Sequence, residues 1–262
     1  TYDHILSGTL AHEVLEYLFP KDHLLPDDLE IDAKVARLLD QAVRKYAPFL
    51  NSLLWKVERQ GLERDIIRAA KKWSAALATI GAKVIDNEID IMGEALGLNL
   101  FGRADCLLSL PDGRLLIIDH KKSSSSKRRD RMVVGWDLQL GLYRAMLLKP
   151  DLKEGVLDDM LKSKPEIGVA YHLINDSGIL VNGMKLEGEG FEIIDTEIST
   201  QAIEKLQERI TEVSSGVVSL NSADDVTFFE KTAKTVPYAL QESTLISAFL
   251  IPPENEEDAA DE

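Results

Sequence analysis

Three residues in the middle of the chain have the types and spacing to do chemistry together: Asp105, Asp119 and Lys121. Between them lies Pro111-Asp112-Gly113, a turn signal joining two runs rich in Leu and Ile. If these three residues form the loop of a hairpin, Leu110 pairs with Arg114, and counting back along both strands sets Asp105 opposite Asp119. Directly paired residues of antiparallel strands point to the same face. Lys121, two residues beyond Asp119, shares that face. A one-residue slip would undo the arrangement. Two carboxylates side by side are costly unless a cation lies between them, and hard oxygen donors suit Mg²⁺ or Mn²⁺. Such a metal polarises a phosphodiester and makes a bound water more nucleophilic. A neighbouring lysine orients the water or offsets charge developing on phosphorus. The alternative for Asp119 and Lys121 is an ordinary strand-end ion pair, but acids are rare at the end of a buried strand such as Ile117-Ile118.

The elements that must position these residues follow from periodicity. Ser7–Phe19 reads as a helix capped by Ser7 or Thr9, with Leu10, Val14, Leu15 and Leu18 as its apolar stripe. Ile31 to about Leu50 and Trp55–Ile80 read as two more, the last ended by Gly81. Trp55 and Trp73 are expected in the helical core. The period then changes: Lys83–Met92, Leu98–Leu110 and Arg114–Lys121 read as strands. A serine run, Ser123–Ser126, reads as a loop leading into Lys127, Arg128, Arg129 and Arg131. Trp136–Leu148 reads as a helix, Glu166–Asn175 and Gly178–Met184 as a hairpin, and Thr200–Ser214 as a helix capped by Ser199.

Composition bounds the function. The 262 residues, 45% hydrophobic, can bury a substantial core. No apolar run is long enough to span a bilayer and no secretory signal pattern opens the chain, so no membrane association is expected. Cys106 is the single cysteine, which excludes an intrachain disulfide and any cysteine-ligated zinc or iron–sulfur centre and fits a reducing cytoplasm. A net charge of -15 repels a phosphate backbone at long range. The charge is uneven, however: Glu254–Glu262 holds six acids, whereas Lys121–Arg131 holds six bases and one acid, Asp130. The first residue, Thr1, fits a segment excised from a longer polypeptide, as would a trimmed terminus.

Gly102-Arg103-Ala104-Asp105 followed by Ile117-Ile118-Asp119-His120-Lys121-Lys122-Ser123 resembles the PD-(D/E)xK nuclease superfamily, and more narrowly its RecB/AddB-type nuclease domain. Two further segments fit in order. Gly8-Thr9-Leu10-Ala11-His12-Glu13 resembles the N-terminal helix motif of that type, and Trp136 to Tyr143 its Gln-x-x-x-Tyr helix, with Gln139 and Tyr143 on one face. Glu88 stands where relatives often carry an upstream glutamate. The superfamily's proline is replaced by Ala104, as is common in the RecB-like branch. Many AddB-like and CRISPR-associated relatives hold an iron–sulfur cluster through four cysteines, which this chain lacks.

The resemblance implies a mixed central β-sheet flanked by helices, a restriction-endonuclease-like core with a helical N-terminal part. It implies one domain over 1–250, with 1–82 mainly helical, 83–215 the nuclease core, 216–250 an extension and 251–262 an acidic tail. It implies Mg²⁺- or Mn²⁺-dependent hydrolysis of DNA, exonucleolytic rather than endonucleolytic, beside a helicase domain or subunit in double-strand break repair and recombination. Asp105, Asp119 and Lys121 are the expected catalytic set. His12, Asp105, Asp119 and the backbone carbonyl of His120 are the expected metal ligands. Gln139, Tyr143, Lys122, Ser123, Lys127 and Arg128 are the expected DNA contacts, although the serine and basic run could equally be a solvated loop. Glu16 is expected to be structural, and Arg103 has no assigned chemistry. The alternatives are a non-catalytic DNA-binding or scaffolding module of a helicase complex, and a stand-alone exonuclease of the CRISPR-associated type.

Overall fold

Continuous Leu/Ile/Val runs make the centre of the molecule, because a strand covered on both faces has no polar side to show. The computed structural model describes residues 2–153, 155–218 and 223–234; the expected acidic tail lies outside them, as does most of the expected 216–250 extension. The chain packs into two compact units, one of residues 1–129 and 139–196, the other of 130–138 and 197 onward. Eight helices and six strands are described. No helix among these residues is long and apolar enough to cross a membrane.

In the larger unit, β1 (Lys83–Ala95), β2 (Leu98–Ser109) and β3 (Leu115–Lys121) form an antiparallel meander. The β2–β3 ladder runs from Ser109↔Leu115 to Cys106↔Ile118, and the turn closes with Leu110 N–H on Arg114 O at 2.9 Å. That is the expected register. A crossover through α4 (Ser125–Val133), α5 (Leu138–Leu148) and α6 (Val156–Leu161) returns the chain to β4 (Ile167–Leu173), parallel to β3. β5 (Gly178–Asn182) turns back antiparallel around Asp176-Ser177, and β6 (Phe191–Ile193) adds a parallel edge. The sheet is mixed, in the order β1-β2-β3-β4-β5-β6.

Three helices precede the sheet: α1 (His4–Leu18), α2 (Asp28–Tyr46) and α3 (Lys56–Thr79). Their stripes share one core with Cys106, Leu108, Leu116 and Ile118 of the sheet. Alternate residues Leu107, Ile117 and Val169 are fully buried as well, so the central strands are covered on both sides. Within the smaller unit, Trp136 packs edge-on against Phe228 at 5.4 Å between ring centroids, joining residues before α5 to α8 (Ala223–Lys231), while α7 (Thr200–Ser214) starts where expected.

Three local expectations are corrected. The cap of α1 is Asp3, whose Oδ1 accepts Leu6 N–H at 2.8 Å, while the hydroxyls of Ser7 and Thr9 donate back to His4 O and Ile5 O inside the helix. Ser199 makes no side-chain cap to α7. The serine and basic run is not a loop beyond Ser124: it forms α4, whose first turn is held by Asp176, with Oδ2 accepting both Ser125 N–H and Ser125 O–H at 2.8 Å. Asp3→Ala is expected to cost about 1 kcal/mol, read as a lower urea midpoint. Thr9→Ala should leave the midpoint unchanged or raise it, since alanine is the better helix former. Equal losses in the two variants would remove Asp3 as the cap.

Candidate active site

The site forms where the β2–β3 ladder ends, beyond Cys106↔Ile118, while β1 stays paired with β2 and β3 with β4. Asn87↔Cys106 and Ile89↔Ala104 bracket Glu88 opposite Asp105, and Cys106↔Ile118 sets Asp105 opposite Asp119 in the next rung. Three carboxylates therefore stand at one level across β1, β2 and β3. Hydrogen bonding at that level has changed character. Asp105 Oδ2 accepts the His120 backbone N–H at 2.6 Å, and Glu88 sits in the left-handed region with φ 50°.

Helix α1 brings in His12. Its Nε2 lies 2.7 Å from His120 O, and its Nδ1 3.5 Å from Asp105 Oδ1. With Nε2–H donated to the carbonyl, Nδ1 of a neutral His12 turns a lone pair toward a carboxylate, an arrangement that a proton or a cation must bridge. Burial opposes protonation of His12, but Asp105 outweighs it and lifts the imidazole above its ordinary pKa. Asp105 responds in the opposite direction: burial alone would raise it, and His12 holds it low. The helix is fixed by Glu13, whose carboxylate accepts from Lys45 Nζ and Tyr46 OH of α2 at 2.8 Å each.

Asp119 is only 1% exposed. Burial and the nearby Asp105 push its pKa up to about 6, against the pull of Lys121. Lys121 Nζ lies 2.6 Å from Asp119 Oδ2, yet that buried oxygen has no aligned hydrogen bond. Oδ1 accepts from Gln139 Nε2 at 2.7 Å. Gln139 also donates to Tyr143 OH at 3.1 Å, and Tyr143 OH donates to Arg103 O at 2.5 Å. Gly102 makes this possible, since a Cβ there would stand 2.9 Å from the Tyr143 ring. The Gln139–Tyr143 pair thus supports Asp119, and Gln139 also lines the cleft described below.

One ligand atom each from His12, Glu88 and Asp105 lies within 4.8 Å of the others. Carboxylate oxygens with one imidazole suit a hard or borderline divalent cation, and Asp119 Oδ2, whose neighbour is the Lys121 ammonium, is one more buried oxygen at the same level. The residues therefore fit a divalent metal. The expected ligands His12 and Asp105 are in the trio. Asp119 is not in the trio and pairs with Lys121 and Gln139, and the His120 carbonyl accepts from His12 with a second lone pair left over. The His120 ring points into the core, with its Nδ1 2.9 Å from His172 Nδ1 and its edge toward Trp73.

Beside the trio, a cleft of about 750 Å³ is lined by His12, Lys121, Lys122, Ser123, Lys127 and Arg128, among others. Arg128 is set there by the Tyr171 ring, 5.0 Å below its guanidinium. Lys122 is held by Asp65 at 2.8 Å and by Asn175. Glu88 had no role in the sequence reading, although its signal was present. Leu96 and Gly97, with φ 57° and 73°, form the two-residue turn that pairs Ala95 with Leu98, and counting back from that pair puts Glu88 opposite Asp105. A family model for the PD-(D/E)XK nuclease superfamily matches residues 2–226. No curated protein matches the chain.

Proposed function

The chain belongs to the PD-(D/E)XK nuclease superfamily, whose nucleases use divalent metals, and we propose that it is a Mg²⁺- or Mn²⁺-dependent deoxyribonuclease of the RecB/AddB type. The observation that carries this reading is the convergence of His12, Asp105, Asp119 and Lys121 at one end of the sheet, beside a basic cleft in an otherwise acidic protein. Such a cleft groups four cations, Lys121, Lys122, Lys127 and Arg128, where a phosphodiester must lie.

His12, Glu88 and Asp105 would hold the metal, with the Lys121-paired oxygen of Asp119 in the next rung. A divalent ion bound there supplies Lewis acidity toward a phosphate and lowers the pKa of water. Asp119 is kept in place by Gln139, so its carboxylate needs no reorganisation when substrate arrives. Lys121 carries a positive charge at Asp119 and lines the cleft, where it orients the attacking water or offsets charge on the phosphate. Lys127 and Arg128 receive the flanking phosphates. The RecB/AddB resemblance supports exonucleolytic action beside a helicase domain or subunit in DNA break repair and recombination, and the single buried thiol fits a cytoplasmic protein.

The test is degradation of linear single- and double-stranded DNA with Mg²⁺, Mn²⁺ or EDTA, beside Asp119→Ala. Metal-dependent cleavage lost in the variant is expected. Mn²⁺ should also raise the melting temperature of the wild type, because a ligand at 100 times its Kd stabilises by about 2.7 kcal/mol. Metal binding without cleavage would favour a domain that needs its motor. Neither binding nor cleavage would leave the non-catalytic scaffold.

A further inference from the structure

Glycine is a poor helix residue because it loses the most backbone freedom on ordering, yet α1 carries Gly8 in its interior. Close packing is the ordinary reason for such a residue, and it applies elsewhere in this fold: a Cβ on Gly93 would fall 2.2 Å from Met146 O. At Gly8 that reason is missing, since a Cβ would meet nothing within 4 Å among the described residues. The space it would enter is the cleft. Gly8 lies one turn before His12 on the same helix face, and both line the cleft together with Ile5, itself 71% exposed. The charges of that cleft come from Lys121, Lys122, Lys127 and Arg128 of β3, α4 and the segment joining them. The α1 side contributes the imidazoles of His4 and His12, the apolar Ile5, bare backbone at Gly8, and Thr9, whose hydroxyl is bonded back to Ile5 O at 3.1 Å. A side with fixed cations suits phosphates, and a side low at Gly8, with an apolar Ile5 and flat imidazole rings about it, suits the sugar or base of the same nucleotide.

We propose that Gly8 admits the substrate strand: its missing side chain leaves the room beside His12 in which the nucleotide at the scissile phosphate lies against α1. This rests on the nuclease reading of the cleft and names the residue that governs entry to it. Stability at Gly8 has been given up for access, so the two properties should separate on substitution.

Gly61 is the matched control. It too is a helical glycine, in α3, with nothing within 4 Å of an added Cβ, and it does not line the cleft. Gly8→Ala, Gly8→Leu and Gly61→Ala are compared by melting temperature in EDTA, by Mn²⁺ titration calorimetry, by anisotropy of a labelled oligonucleotide in Ca²⁺, and by cleavage of the same oligonucleotide in Mn²⁺. Both alanine variants should melt a few degrees higher than wild type, and Gly61→Ala should cleave as wild type. Gly8→Ala should weaken oligonucleotide binding several-fold, and Gly8→Leu should lower kcat/KM by about 10²-fold or more, the scale of a misplaced substrate. Mn²⁺ binding should persist in both. A Gly8→Leu variant that binds and cleaves like an active wild type overturns the proposal and leaves the nuclease reading standing. Loss of Mn²⁺ binding in Gly8→Leu also overturns it, because the glycine would then serve the metal cluster. A wild type that binds Mn²⁺ but not the oligonucleotide overturns the proposal alone, and one that binds neither and does not cleave overturns both.

Discussion

Lys121→Ala is expected to lower the cleavage rate by about 10²–10⁴-fold, the range for a lost acid–base or charge-stabilising group, while divalent metal binds as tightly as in wild type or tighter. The sign of the second effect follows from the geometry. Lys121 Nζ lies 2.6 Å from Asp119 Oδ2, so in the metal-free protein it is the cation that offsets a carboxylate only 1% exposed. Asp119 is already pushed up by burial and by Asp105, and without Lys121 only the more distant His12 pulls it down among the described residues. A divalent ion near Asp119 then meets a less compensated carboxylate and no competing ammonium. The metal-free variant should therefore melt below wild type and recover more on adding Mn²⁺. Calorimetry and single-turnover cleavage on one preparation decide the matter. Weakened metal affinity with a proportional loss of rate would make Lys121 a support of the metal site. Cleavage within tenfold of wild type would remove it from the chemistry.

The site was legible where a short turn fixed a register and illegible where distant segments met. Pro111-Asp112-Gly113 closes its hairpin with Leu110 on Arg114, and a tight hairpin leaves its strands no freedom to slip; Asp105 and Asp119 could be aligned from that alone. Glu88 was within reach of the same arithmetic through Leu96-Gly97, but the reading of β1 stopped at Met92 and never counted the turn. Asp65 on α3 and Asn175 after β4, which hold Lys122, lie 57 and 53 residues away from it, and no periodicity announces such a meeting. Helix α4 escaped notice for a related reason. Only Met132 of its residues is buried, so it has no apolar stripe, and its first turn is held by Asp176, 51 residues beyond Ser125. The strand β6 spans three residues, too few to show an alternation. Pairwise geometry also gives Gln139 and Tyr143 a part that no spacing announced, the support of Asp119.

The second large effect concerns the carboxylates of β1 and β2, which have different jobs despite sharing a cation site. Asp105 serves architecture and chemistry at once, since Oδ2 accepts His120 N–H at 2.6 Å and Oδ1 faces His12. Asp105→Ala should cost about 1–3 kcal/mol in EDTA, the penalty of a buried N–H without a partner, and about 10³-fold or more in cleavage, which corresponds to several kcal/mol of charge stabilisation from a bound metal. Asp105→Asn keeps an oxygen for that N–H and loses the charge. It should melt near wild type in EDTA, yet show neither the Mn²⁺-induced rise in melting temperature nor cleavage. Glu88 is the opposite case. Its left-handed φ of 50° is costly for a residue with a side chain, and although the residue as a whole is exposed, partial burial of its carboxyl first, and then Asp105 and Glu16 beside it, disfavour its charge and lift its pKa. Glu88→Gly removes both the strain and the repulsion, so the metal-free protein should gain about 1 kcal/mol while Mn²⁺ affinity and cleavage fall. Strain relieved by a substitution that damages activity is strain retained for the metal. A Glu88→Gly variant that is less stable in EDTA, or that binds Mn²⁺ like wild type, would show that Glu88 is held there by packing and that His12 and Asp105 form the metal site without it.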